Sequence, residues 1–156
     1  MVSAVRVERA NAVPIAVVRR RAPAGGLSRV VPEACGTVWN AIKSAGVRGA
    51  GRHVAVYLDC SGEQIDVEVG VELPQPFGGR GEVVDSATPA GEVAAVTHLG
   101  PYPKLGDAHR AIQEWCAANR RTPAGPNWEI YGHWLDAWNQ DPSQIRTDVF
   151  HLLKPP

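Results

Sequence analysis

Glu129 is a charged residue in a place where charge is unexpected. It lies in the run Trp128-Glu129-Ile130-Tyr131, whose other members favour a half-buried, pleated strand, so its side chain needs a partner. Side chains two apart on a strand share a face, which sets Glu129 beside Tyr131. Other rings flank the run: Tyr102, Trp115, Trp134 and Trp138 nearby along the chain, and Tyr57 in the first half. A carboxylate among rings suits a flat, lipophilic cation, which gains attraction from both the charge and the ring faces. The candidate ligand-binding residues are therefore Glu129, Tyr131, Tyr57, Tyr102, Trp115, Trp134 and Trp138, and the expected partner is a lipophilic aromatic or cationic small molecule.

Other chemistries find less support. The five histidines show no His-x-His or His-x-x-x-His spacing and the three cysteines no Cys-x-x-Cys pair, so neither a metal site nor a cofactor is expected. Cys35 and Cys116 fall on apolar helical stripes and read as core, and Cys60 has no local base to make a thiolate. No lysine follows Gly25-Gly26 at the spacing a phosphate loop requires. Lys and Arg number 16, as do Asp and Glu, so no global field points to nucleic acid. Apolar runs stop well short of the ~18 residues a membrane span needs, and no leader pattern is present. Residues 1–156 therefore read as one cytoplasmic domain.

The elements that must position Glu129 come in two rounds. Short β-branched runs at 4–7 and 13–18 are followed by a helical stripe, Val31, Ala34, Cys35, Val38, Ile42 and Ala45. This predicts a helix over 32–45, with Pro32 in its first turn and Gly46 just past its end. A hairpin is predicted over 53–60 and 65–73. After a Pro/Gly-rich joint at 74–81 the order starts again, with strands at 82–85 and 92–98 and a stripe of Leu105, Ala108, Ile112, Trp115, Cys116 and Asn119. Sliding the chain by 74 positions aligns 31–57 on 105–131 without a gap. Beyond an insertion at 132–146, Asp66-Val67 matches Asp148-Val149. The fold expected is α+β, built from two ββαββ halves at 4–73 and 82–154, related by a pseudo-twofold with a ligand groove between them. The repeat is also an internal control. Tyr131 has a counterpart in Tyr57, whereas the counterpart of Glu129 is Ala55. A carboxylate present in one copy alone points away from a purely structural role, the alternative being a strand-edge glutamate in solvent or paired with an arginine.

With this duplication, Gly100-Pro101-Tyr102 ahead of the second helix, and Pro123-Ala124-Gly125-Pro126 leading into Trp128-Glu129-Ile130-Tyr131, the chain resembles the GyrI-like small-molecule-binding domains, the effector-binding domains of AraC-type and MerR-type regulators. The resemblance implies an antiparallel sheet carrying two helices, and a glutamate at the position of Glu129 that faces cationic aromatic drugs. It also implies a role in multidrug or toxin binding, or sequestration, and hence in resistance. Some stand-alone members hydrolyse the strained cyclopropane of DNA-alkylating cyclopropanoids. In that alternative Glu129 and Tyr131 are catalytic: Glu129 orients or deprotonates water, and Tyr131 or Tyr57 donates to the carbonyl that becomes a phenolate. The chain departs from the pattern twice. Its first strand starts within a few residues of Met1, so no helix-turn-helix module and no direct DNA binding are expected. Its 132–146 insertion is longer and more aromatic than usual. Either it walls the pocket, or Trp134 and Trp138 form one face of a short helix on the core.

Overall fold

The β-branched runs form strands and the apolar stripes form helices, in the order β1 (Arg6–Ala10), β2 (Pro14–Pro23), α1 (Leu27–Ser44), β3 (His53–Asp59), β4 (Gln64–Glu72), β5 (Val84–Ala87), β6 (Gly91–Leu99), α2 (Leu105–Ala118), β7 (Pro123–Tyr131), α3 (Ala137–Gln140) and β8 (Arg146–Leu153). These assignments come from a computed structural model that describes all 156 residues. The fold is α+β, with eight antiparallel strands and two main helices.

The chain divides into two compact units. One is the continuous segment Asn11–Pro89, and the other combines Met1–Ala10 with Ala90–Pro156. Within the first, the strands run β3-β4-β2-β5, and within the second β7-β8-β6-β1. The order is the same in both, except that each outer strand comes from the opposite end of the repeat. Arg6 of β1 pairs with Ala95 of β6, and Pro14 of β2 pairs with Ala87 of β5.

Both units enter their helix in one way. Pro23 and Pro101, each in an extended conformation, open a 3₁₀ turn that runs into Leu27 and Leu105. The helix predicted to begin at Pro32 thus begins at Leu27, and Pro32 lies inside it. The missing N–H of Pro32 forfeits one hydrogen bond in the second turn, and the apolar face buried by Ala34, Val38 and Ile42 outweighs that loss. Past the helix end Gly46 takes φ +70°, as its placement predicted.

One alignment of the repeat needs correction. Tyr57 stands opposite Val67, and Tyr131 opposite Thr147, so with Tyr57 matched to Tyr131 the last strand slips two residues from the sequence alignment. Glu68, rather than Asp66, then corresponds to Asp148. A two-residue slip leaves every side chain on its own face, so alternation in the sequence cannot reveal it. Both matched carboxylates are buried. Glu68 accepts hydrogen bonds from Arg19 and Ser86, and Asp148 accepts from Thr97 and Arg146.

Candidate functional site

Strand β7 and helix α2 bring the chemistry together inside the discontinuous unit. The helix buries Leu105, Ala108, Ile112 and Cys116 against Ala94 and Val96 of β6 and Val149 and Leu153 of β8, which fixes the face of the sheet it covers. Tyr131 packs against the same cluster, so the face that carries Tyr131 and Glu129 is the helix side. Trp128 and Ile130 alternate to the other side, where Trp128 stacks on Phe150 with ring centroids 5.3 Å apart.

Glu129 is only 5% exposed, and its partners compensate that burial. The Tyr131 hydroxyl donates to Oε1 at 2.6 Å. His109, one residue beyond buried Ala108 on α2, sets Nε2 2.8 Å from Oε2. Its other nitrogen, Nδ1, lies 2.8 Å from Nε2 of His151 on β8. Tyr131, Glu129, His109 and His151 thus form one continuous hydrogen-bonded chain across three elements. Burial, reinforced by repulsion from His109 and opposed by attraction from Glu129, lowers the His151 pKa to about 4. His151 is therefore neutral near pH 7, with one ring nitrogen donating and the other accepting.

Tyr102 completes the aromatic surround, its ring edge-on to Tyr131 at 5.5 Å between centroids. Two residues before it, Gly100 takes φ +143°, which strains any side chain, and a β-carbon there would stand 3.3 Å from the His98 imidazole, so the ring would have to give. Trp115 packs on the apolar cluster under α2. Trp134 and Trp138 meet edge to face at 5.3 Å, with Trp138 buried and Trp134 half exposed. Helix α3 contains only Trp138, and Trp134 instead donates its indole N–H to Asn139. Tyr57 is buried in the continuous unit.

The sequence did not reveal His109 and His151. They sit on different elements, and no spacing motif links them. One signal was available: the 74-residue register sets His109 on Cys35, the same loss of correspondence that marks Glu129 against Ala55.

Residues 3–154 match the model of the GyrI-like small molecule binding domain family. No curated protein matches. Among solved structures, the chain is similar to the EcmrR C-terminal domain (TM-score 0.78, 18% identity, 97% of this chain and 98% of that one). It spans 58% of the EcmrR chain in an EcmrR–DNA complex. SAV2435 bound to tetraphenylphosphonium is also similar (0.64, 8%, 97% and 94%), as is a hydrolase encoded by lin2189 from Listeria innocua (0.60, 10%, 97% and 92%). At these identities the likeness is one of fold.

Proposed function

The chain belongs to the GyrI-like family of small-molecule-binding domains, and from that premise we propose that it captures flat, hydrophobic cations at Glu129 and so sequesters them. The observation that carries this reading is a buried carboxylate held in place by Tyr131 and His109, with the Tyr102 ring against Tyr131. A cation without N–H groups asks only for charge and ring contact, so it need not displace the donors that already hold Glu129. Tetraphenylphosphonium, which SAV2435 binds, shares the hydrophobic rings and the positive charge of such a ligand, although it is tetrahedral rather than flat.

A second reading is favoured by the histidine chain. For a cyclopropanoid hydrolase, Glu129 takes a proton from water, the water oxygen bonds to a cyclopropane carbon, and the ring C–C bond breaks with its electrons moving to a conjugated carbonyl. His109 and His151 would stabilise the protonation change at Glu129. This reading ranks second because Tyr131, one of its candidate acids, already directs its hydroxyl to Glu129.

One substitution tests both. Glu129→Gln keeps shape and removes charge, and is expected to weaken tetraphenylphosphonium binding by about 1–2 kcal/mol while affecting a neutral aromatic of similar size much less. Tryptophan quenching reads this directly. Equal affinity for both ligands before and after substitution would refute cation capture. A ring-opened, water-added product detected by mass spectrometry, formed by the wild type and slowed by roughly two orders of magnitude in the variant, would favour the hydrolase instead.

A further inference from the structure

The chain of donors and acceptors at Glu129 admits two protonation states with one heavy-atom geometry. In the first, His151 donates from Nε2 to Nδ1 of His109, and His109 donates from Nε2 to Glu129, so both rings are neutral and the carboxylate keeps its full charge. In the second, His109 carries a proton on each nitrogen and donates both ways, while His151 accepts at Nε2 and holds its hydrogen on Nδ1. The second state has one more proton, gained at Nδ1 of His151 as the Nε2 proton passes to His109. Nothing has to move for the site to change from charged to neutral.

Resting on the cation-capture reading, we propose that the site exchanges a proton for its cation: a cation drawn to Glu129 displaces the proton that His109 and His151 share. Burial makes the exchange nearly obligatory. The carboxylate side chain is 6% exposed and the His109 ring 20%, so a positive charge arriving beside protonated His109 meets repulsion that solvent screens only weakly. Loss of the His151 Nδ1 proton to solvent, with return of the shared proton from His109 to His151, removes that repulsion and leaves one positive charge against Glu129. One proton departs for each cation bound.

The groups that face this chain from the packed elements are few. Strand β7 contributes Glu129 and Tyr131, and β8 contributes His151. From β6 comes His98, buried, its pKa lowered chiefly by that burial. Tyr102 and Lys104 lie on the 3₁₀ turn before α2. On α2 itself, Asp107 and Arg110 pair with each other in solvent, and beyond the helix Arg121 pairs with Glu92 of β6. His151 takes a charge of its own only near pH 4.

Calorimetric titration of the full chain with tetraphenylphosphonium, in buffers of different ionisation enthalpy, counts the protons released. The count is expected to rise toward one as pH falls and to drop toward zero as pH rises, with affinity changing by up to about tenfold per pH unit on the acid side. His109→Gln is expected to abolish both the proton release and the pH dependence of binding, and Glu129→Gln to weaken binding at every pH. His133→Gln, at an exposed ring outside the chain, should change neither. Cation binding with no proton released at any pH overturns the exchange and leaves cation capture standing. Absence of binding at every pH overturns capture itself. The exchange then fails with it, and imidazole ¹⁵N spectra of the ligand-free protein still decide whether the proton is shared. A first protonation step that moves the His109 and His151 signals together supports the shared proton, and a first step confined to one ring refutes it.

Discussion

The two units of this molecule share a strand order and a helix entry, and they differ in what lies beneath the helix. In the continuous unit, the positions matched to Glu129, His109 and His151 hold Ala55, Cys35 and Val71, and the sheet face that carries Ala55 is lined by Ala16, Val18, Val67, Val69 and Val71, all buried, with Tyr57 and His53 on the same face of β3. In the discontinuous unit, the matched positions hold a carboxylate and two imidazoles, beside a tyrosine that both units share. The architecture therefore does not require these polar groups. What the units hold in common, including the buried pair Glu68 and Asp148, belongs to the fold; what only one holds points to function.

The contrast is broken most severely by placing the carboxylate in the wrong unit. Ala55 is fully buried, so Ala55→Glu introduces both extra volume and a charge without the His109 and His151 partners. A loss of about 3–5 kcal/mol in denaturant unfolding is expected. A near-neutral outcome would mean that the continuous unit is equipped for a charge after all.

A gentler test uses acid. His151 has a folded pKa of about 4, below the ~6.5 of an unfolded histidine, so between those values the unfolded chain binds more protons than the folded one. Its contribution is fully present above about pH 6.5 and is lost as pH falls toward about 4, by on the order of 2–3 kcal/mol. His98, lowered chiefly by burial, acts in the same sense. His151→Val, which restores the aliphatic character of the other unit, is expected to flatten the fall in melting temperature across this window. An unchanged slope would remove His151 from the account.

The smallest effect is expected from Tyr131→Phe. It removes the hydroxyl at 2.6 Å from Glu129 and keeps the ring that packs under Tyr102, for a cost of about 1–2 kcal/mol in unfolding experiments. A cost near zero would show that His109 alone suffices to hold the carboxylate.

How much of this was legible in the sequence depended on distance along the chain. Alternation by two set Glu129 and Tyr131 on one face, and stripes by three and four found both helices. Local competition blurred the rest: Pro32 looked like a start because proline favours a first turn, yet the helix runs back through half-buried Leu27, Val30 and Val31 for more than a full turn. The histidine chain was hidden because His109 and His151 meet only when β8 returns beside β7, and their contact leaves no periodic trace. The exchanged outer strands were hidden in the same way, since remote antiparallel pairing imposes no local pattern.

Those outer strands also set an order of assembly. All the strands of the continuous unit lie within one stretch, Asn11–Pro89, so it can close as soon as that stretch is complete. Strand β1 is made first, yet it waits unpaired until β6 follows the whole of the other unit. Closing so long a loop is slow, and chains emerge from synthesis N-terminus first, so the aliphatic unit is expected to fold early and the unit carrying Glu129 late. The half that bears the buried carboxylate and imidazoles would thus acquire its difficult polar interior last, after a stable companion already exists.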